Sequence, residues 1–206
     1  MMEFLGRVEV SCRTGREPFR DGARELGFDL LGFWQWSGSD LVSNALRGRL
    51  AEFLVAQALG LASGVRSEWD AYDLRLPNGG PSIEVKSSAY LQTWAQKAPS
   101  AICFTVRPTR AWNADTNELA GEGERRRQAD LYVFAVLHHR DKTSLDPLDV
   151  AQWEFYVLPA RVLNARLPTQ KQLSLASLLK LGPAYCRYAE LRSAVERFGT
   201  LPEAAV

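Results

Sequence analysis

Histidine, cysteine and net charge are what this 206-residue chain has least of. The two histidines, His138 and His139, are adjacent, and successive side chains on a strand point to opposite faces, so they cannot chelate one ion together. They read as structural or exposed residues. The three cysteines, Cys12, Cys103 and Cys186, are an odd number without paired spacing, which argues against a disulfide framework and against a zinc cluster. Reduced interior thiols of a cytosolic protein are the expectation. A formal net charge of +1 means that no global basic field advertises nucleic acid, so any such surface has to be a local patch. No run of about 18 apolar residues occurs, and the N-terminus lacks a basic segment followed by an apolar one. A soluble cytoplasmic protein without a membrane partner is expected.

What the chain does have is 46% apolar content, enough for one full core, so residues 1–206 are expected to form a single domain. Its most informative stretch is residues 69–88. Two runs of alternating character, Trp69 to Leu76 and Ser82 to Ser88, flank Pro77-Asn78-Gly79-Gly80-Pro81. An Asn-Gly pair between such runs is the strongest short-range hairpin signal. With Asn78-Gly79 as a two-residue turn, Asp73 stands directly opposite Glu84, and directly opposed residues share a face. Lys86 lies on that face as well, while Ile83 and Val85 turn to the other. A three-residue loop would bring Asp70 there in place of Asp73.

Two neighbouring carboxylates repel, and a hard divalent cation such as Mg²⁺ supplies a reason for the arrangement, because it takes oxygen ligands including one or two carboxylates. An ordinary cross-strand salt bridge on a surface hairpin is the competing reading, worth about 0 to 1 kcal/mol if exposed.

Upstream, Ser39 or Asp40 is expected to cap a helix over 40–61 with an apolar stripe of Val42, Leu46, Leu50, Phe53, Leu54 and Leu61. On the opposite side Glu52 has Ala45, Gly48, Val55, Ala56 and Leu59 around it. Small neighbours let another element approach closely, so Glu52 is expected to be packed. A packed carboxylate is costly unless it is paired or binds metal. Arg49, or an arginine of the tail, is one partner to consider; a metal ion is the other.

At these residues the chain resembles the PD-(D/E)XK nuclease superfamily. Asp73 and Glu84-Val85-Lys86 match its acid followed by acid-x-Lys, although Tyr72 stands where the family name has proline. Arg47-Gly48-Arg49-Leu50-Ala51-Glu52 resembles the Gly-x-x-x-Glu helix of Mrr-type nucleases and archaeal junction resolvases. The three acids and the lysine fall in the family's order within about 35 residues, a more specific match than the hairpin alone. The resemblance implies an α/β restriction-endonuclease-like core, with a mixed central β-sheet flanked by helices on both faces. It further implies a Mg²⁺-dependent phosphodiesterase, with Mn²⁺ as substitute, that cleaves DNA and leaves RNA open as a substrate. Asp73, Glu84 and the Val85 carbonyl would hold the metal, Glu52 a second ion or a bound water, and Lys86 would orient or deprotonate the attacking water. Double-strand cutting often needs two copies of such a site, so a homodimer is one assembly to expect. A nuclease-like fold that binds nucleic acid or a partner protein without cutting is the alternative.

The remaining segments carry weaker signals. Residues 1–40 form an N-terminal extension before a core over 41–160 and C-terminal helices over 161–206. A strand over Glu3 to Ser11 and a helix over Glu17 to Leu26 are expected there, with the aromatic Phe28, Phe33, Trp34 and Trp36 read mainly as core or cover. Gln92 follows the lysine in a polar and aromatic stretch that suits phosphate or sugar contacts. Arg107, Arg110, Arg125, Arg126 and Arg127 lie in a long polar loop, which reads either as a clamp on a nucleic-acid backbone or as a solvated loop balanced by its own acids. Gln128 and Tyr132 have the Gln-x-x-x-Tyr spacing of RecB-type nucleases, but that element is helical there and Leu131 to Leu137 here reads as a strand. Strands are expected over 101–106, 131–138 and 152–158, and helices over 173–181 and 185–198.

Overall fold

The computed structural model describes residues 5–198. The expected strand over Glu3 to Ser11 begins outside that range, and its described part, 5–11, is irregular chain without a ladder partner among the described residues. The expected helix over 17–26 is instead a hairpin of β1 (Pro18–Asp21) and β2 (Arg24–Asp29). Gly22 at φ +60° makes the turn, a conformation that glycine adopts without the Cβ penalty, and Phe19 packs on Phe28 at a ring-centroid distance of 4.9 Å. Asp29 then caps α1 (Leu30–Gly38) by accepting the Gly32 N–H. No residue of α1 is buried, so Phe28, Phe33, Trp34 and Trp36 are exposed rather than core.

Ser43 caps α2 (Asn44–Leu59), one helical turn later than expected, and Gly60 ends it in the left-handed region. Asp40 serves the preceding turn, accepting from the backbone N–H groups of Val42 and Ser43. The buried stripe also differs. Ala51, Leu54, Val55, Ala56 and Leu59 face the sheet and Phe53 is exposed, because small residues let the helix sit closer than Phe53 and Leu46 would. Glu52 lies at the border of this packed face.

The hairpin β3 (Leu74–Arg75) and β4 (Ser82–Ala89) opens the central sheet. Next come β5 (Cys103–Thr105) and a small arm, β6 (Trp112–Asn113) with β7 (Glu118–Leu119), within the arginine-rich loop. Then follow β8 (Leu131–Leu137), β9 (Trp153–Pro159), α3 (Ala160–Arg166), β10 (Gln172–Ser174), α4 (Leu175–Leu179), β11 (Ala184–Cys186) and α5 (Leu191–Glu196). The two C-terminal segments are therefore each a strand and a short helix. Leu173 pairs with Phe104 of β5, and Tyr185 pairs with Tyr156 of β9, so burial against a ladder overrides helical spacing.

Among the described residues the main sheet has five strands in the order β11-β9-β8-β4-β3, with β4 and β8 parallel and the other pairs antiparallel. Every residue of β8 is buried, as the near-continuous apolar run of a central strand requires. One face, with Ile83, Val85, Val133 and Phe155, packs on α2 and α5. The other, with Tyr132, Phe134, Tyr156 and Leu158, packs on β5, β10, α3 and α4. This is a mixed α/β arrangement with helices on both faces. No helix among the described residues is long and apolar enough to cross a membrane.

Candidate active site

The hairpin register decides which acids meet. Asn78 at φ +55° and Gly79 at φ +73° form a two-residue turn closed by the Gly80 N–H on the Pro77 carbonyl at 3.0 Å. Two successive positive φ values match the twist of the strands, and Asn and Gly tolerate them best. Leu74 then faces Ile83 and Arg75 faces Ser82, so Asp73, one residue before β3, faces Glu84. Its N–H donates to the Ile83 carbonyl at 3.0 Å. Asp70 remains in the exposed loop before it.

Because β3 is only two residues long, the edge of β4 is open at Glu84 to Lys86. The Asp73 carboxylate fills the gap: its Oδ2 accepts the Val85 N–H at 2.7 Å, in place of a backbone carbonyl. Lys86 Nζ donates to Glu84, two residues back on the same face. Val85 turns the other way, into the α2 core.

Glu52 reaches this edge from α2, on the opposite face. Its partner is Arg66, in the loop after α2, whose Nε donates to the Glu52 carboxylate while its Nη2 stands 3.9 Å from Asp73 Oδ1. Arg49, the partner considered from sequence, pairs with Glu68 at 3.3 Å. The side chains of Glu52, Asp73 and Glu84 are 16%, 18% and 20% exposed, so solvent screens all three only partly.

That shortage of screening is visible in Asp73, which burial, then Glu84, then Glu52, push up to about 7. The Val85 N–H and Lys86 act in the opposite direction and do not cancel the rise. Arg66 is held more firmly protonated than usual, chiefly by its hydrogen bond to Glu52. Among the described residues no group of three or more His, Cys, Asp or Glu side chains is placed to hold a metal ion. Arg66 engages Glu52, Lys86 engages Glu84, and one oxygen of Asp73 accepts from the backbone.

Beside these acids a cleft of about 190 Å³ is lined by Glu84, Lys86, Arg107, Gln128 and Tyr132. Tyr132 is the ladder partner of Glu84 on β8, and burial, with Glu84 second, raises its hydroxyl well above the ordinary tyrosine range. Gln128 and Tyr132 were not expected here, because the strand reading of Leu131 to Leu137 separated them from the helical pattern. The strand is real, and the cleft has both residues in its wall.

A search with family models finds no match to this chain, and a search of curated proteins finds none either. The site is therefore argued from its own geometry.

The other expected site residues divide sharply. Arg107 is exposed at the cleft. Arg110 donates to the Ala120 carbonyl at 2.5 Å across the base of the arm, and Arg126 donates to Gln128 at 3.2 Å. Arg125 is exposed along the same arm. Arg127 is an interior residue, 6% exposed, whose guanidinium donates to the carbonyls of Val106, Leu167 and Gln170 and to Asn164. It ties the end of the β5 segment to the loop between α3 and β10.

Gln92 is likewise buried, bonded to the Ala89 carbonyl and to Arg47. Arg47, which the Gly-x-x-x-Glu resemblance gives no role, is a buried cation whose partners among the described residues are neutral: the Val42 carbonyl at 2.8 Å, Asn44 at 2.7 Å, Ser87 at 3.1 Å and Gln92 at 3.4 Å. It ties the start of α2 to the residue after Lys86. His138 and His139 sit at the far end of β8, against Arg187 and Ser144.

Proposed function

We propose that this chain is a metal-dependent phosphodiesterase acting on DNA, with a restriction-endonuclease-like core of the PD-(D/E)XK kind. The observation that carries the reading is Asp73 facing Glu84 across the hairpin with Lys86 on the same face, at a site where burial and then the neighbouring acids hold Asp73 near 7. The donors suit a hard cation in kind, since Mg²⁺ takes carboxylate and carbonyl oxygens and keeps several waters. Asp73, Glu84 and the Val85 carbonyl are the residues that would hold it, and Glu52, once released by Arg66, would take a second ion or a bound water. When bound, Mg²⁺ or Mn²⁺ supplies charge neutralisation at the phosphate and an acidified water.

The chain's own groups have distinct tasks. The ammonium of Lys86 would orient the attacking water by donating a hydrogen bond to it. Arg107 offers a guanidinium to a phosphate oxygen at the open side of the cleft. Asp73 fixes the end of β3 against β4, so the two carboxylates and the amine keep their spacing. Cutting both strands of a duplex would take two such sites, which is the reason to expect a homodimer.

A second reading has its own support: a nuclease-like fold that binds nucleic acid or a protein partner without cutting. Arg66 and Lys86 already neutralise two of the three acids. Incubating the purified protein with plasmid, linear and single-stranded DNA, with and without Mg²⁺ or Mn²⁺, separates the two. Metal-dependent cutting that Lys86→Ala abolishes is expected. Cutting that survives in Lys86→Ala belongs to a contaminant, and no cutting on any substrate favours the binder.

A further inference from the structure

Beyond the cleft of Glu84 and Lys86, the surface continues into a second groove of about 340 Å³. The two are joined: Ala71, Thr109 and Gln128 line both. At the outer end of the groove stand Trp69, from the loop before β3, and Trp112, from β6 of the arm. Their rings meet edge to face, 5.4 Å between centroids at 67°. Such a contact props one ring with the other and favours a fixed orientation over the tumbling of a lone surface side chain. Trp69 is nonetheless 63% exposed, so most of a large, rigid aromatic surface is open to solvent. Exposure on this scale, one step from a proposed phosphodiester site, calls for an occupant.

We propose that Trp69 is a stacking platform for an unpaired base of single-stranded DNA whose backbone runs on into the cleft. The proposal rests on the reading of that cleft as a phosphodiester site and names the form of its substrate. Three observations favour a base over another apolar partner. The groove is continuous with the cleft, so one strand spans both. Arg107 in the cleft and Arg110 in the groove place positive charge along that path, beside two acids of the groove lining, Asp70 and Glu68, of which Glu68 is engaged by Arg49 at 3.3 Å. The exposed group is also a flat π-surface, which every base matches irrespective of sequence. In a duplex the base faces are covered by their neighbours, so the platform selects unpaired strands.

The test is fluorescence anisotropy of dye-labelled strands with the full chain in EDTA, which keeps cleavage out of the readout. The probes are an oligothymidylate, an abasic strand of equal length and a duplex. The wild type is expected to bind the oligothymidylate most tightly. Trp69→Ala should weaken that binding about tenfold, the scale of one base–aromatic stack, and leave the abasic strand unaffected. Trp69→Phe should retain most of the affinity; Trp69→Leu, of comparable bulk without a π-face, should not. Equal affinity for the thymidylate and abasic strands, or equal losses on both in Trp69→Ala, overturns the platform. The failure of the wider reading looks different: a protein that stacks unpaired strands in this way and cuts none of them in Mg²⁺ keeps the platform and loses the phosphodiesterase.

Discussion

The carboxylate of Asp73 accepts the backbone N–H of Val85 at 2.7 Å, so one side chain both continues the β3–β4 ladder and stands beside Glu84, the acid of the cleft. Structure and chemistry therefore share a residue, and substitutions there separate the two roles by pH.

Asp73 is raised from 3.8 to about 7, which means that the folded chain holds its proton where the unfolded chain has released it. The sign follows: stability falls as pH rises from about 4 to about 7, by an amount on the order of a few kcal/mol. Asp73→Asn keeps an acceptor for the Val85 N–H and removes the charge. It should flatten that part of the profile and be the more stable protein at pH 8, measured by urea unfolding across pH. Mg²⁺ should raise the stability of the wild type at pH 8 and have a smaller effect on the variant.

Arg66 is the cation that Glu52 and Asp73 share. Removing it in Arg66→Ala leaves two part-buried carboxylates without their shared cation and should cost about 1–3 kcal/mol at pH 8. Added Mg²⁺ should recover more of that loss than it adds to the wild type, read as the shift in melting temperature on titration with the ion. An equal shift in both proteins would show that Arg66 and the ion do not compete for the same oxygens.

Two arginines of the same loop should behave oppositely. Arg127→Ala deprives the carbonyls of Val106, Leu167 and Gln170 of their donor and should destabilise the fold by about 2–4 kcal/mol in chemical denaturation. Arg107→Ala, at an exposed position, should leave the unfolding midpoint in place. It should instead weaken DNA binding and lower the slope of affinity against salt by about one ion.

The turn offers a check on register. A Cβ added at Gly80 would lie 2.8 Å from the Cβ of buried Leu76 and 3.1 Å from the Pro77 carbonyl. Gly80→Ala must therefore displace the hairpin, at a cost of about 1–3 kcal/mol. Metal-dependent cleavage should fall with it, even at temperatures where circular dichroism shows the chain folded, because Asp73 and Glu84 lose their alignment.

Much of the site was legible because its information is local. Asn78-Gly79 specifies a turn, the turn specifies a register, and strand alternation then places Asp73, Glu84 and Lys86 together. The central strands β8 and β9 were equally readable from their apolar runs. Legibility fell where local pattern and tertiary burial disagree. Residues 17–26 and 173–198 carry helical spacing, yet the first pairs as an exposed hairpin turned at Gly22, and the second pairs as strands where a ladder and an apolar face are within reach. The loop arginines look alike in sequence, and only packing distinguishes Arg127, bonded to interior carbonyls, from Arg107, open to the cleft.

The amino-acid order alone thus determined the hairpin and the shared face of Glu84 and Lys86, since these depend on neighbours a few residues apart, and left Asp73 or Asp70 to the register that the folded turn fixes. The tertiary structure decided the rest. It set Arg66 between Glu52 and Asp73, brought Tyr132 and Gln128 into the cleft wall, and stood Trp112 against Trp69. Each of these contacts joins segments whose meeting depends on how whole elements pack, and no local spacing encodes that.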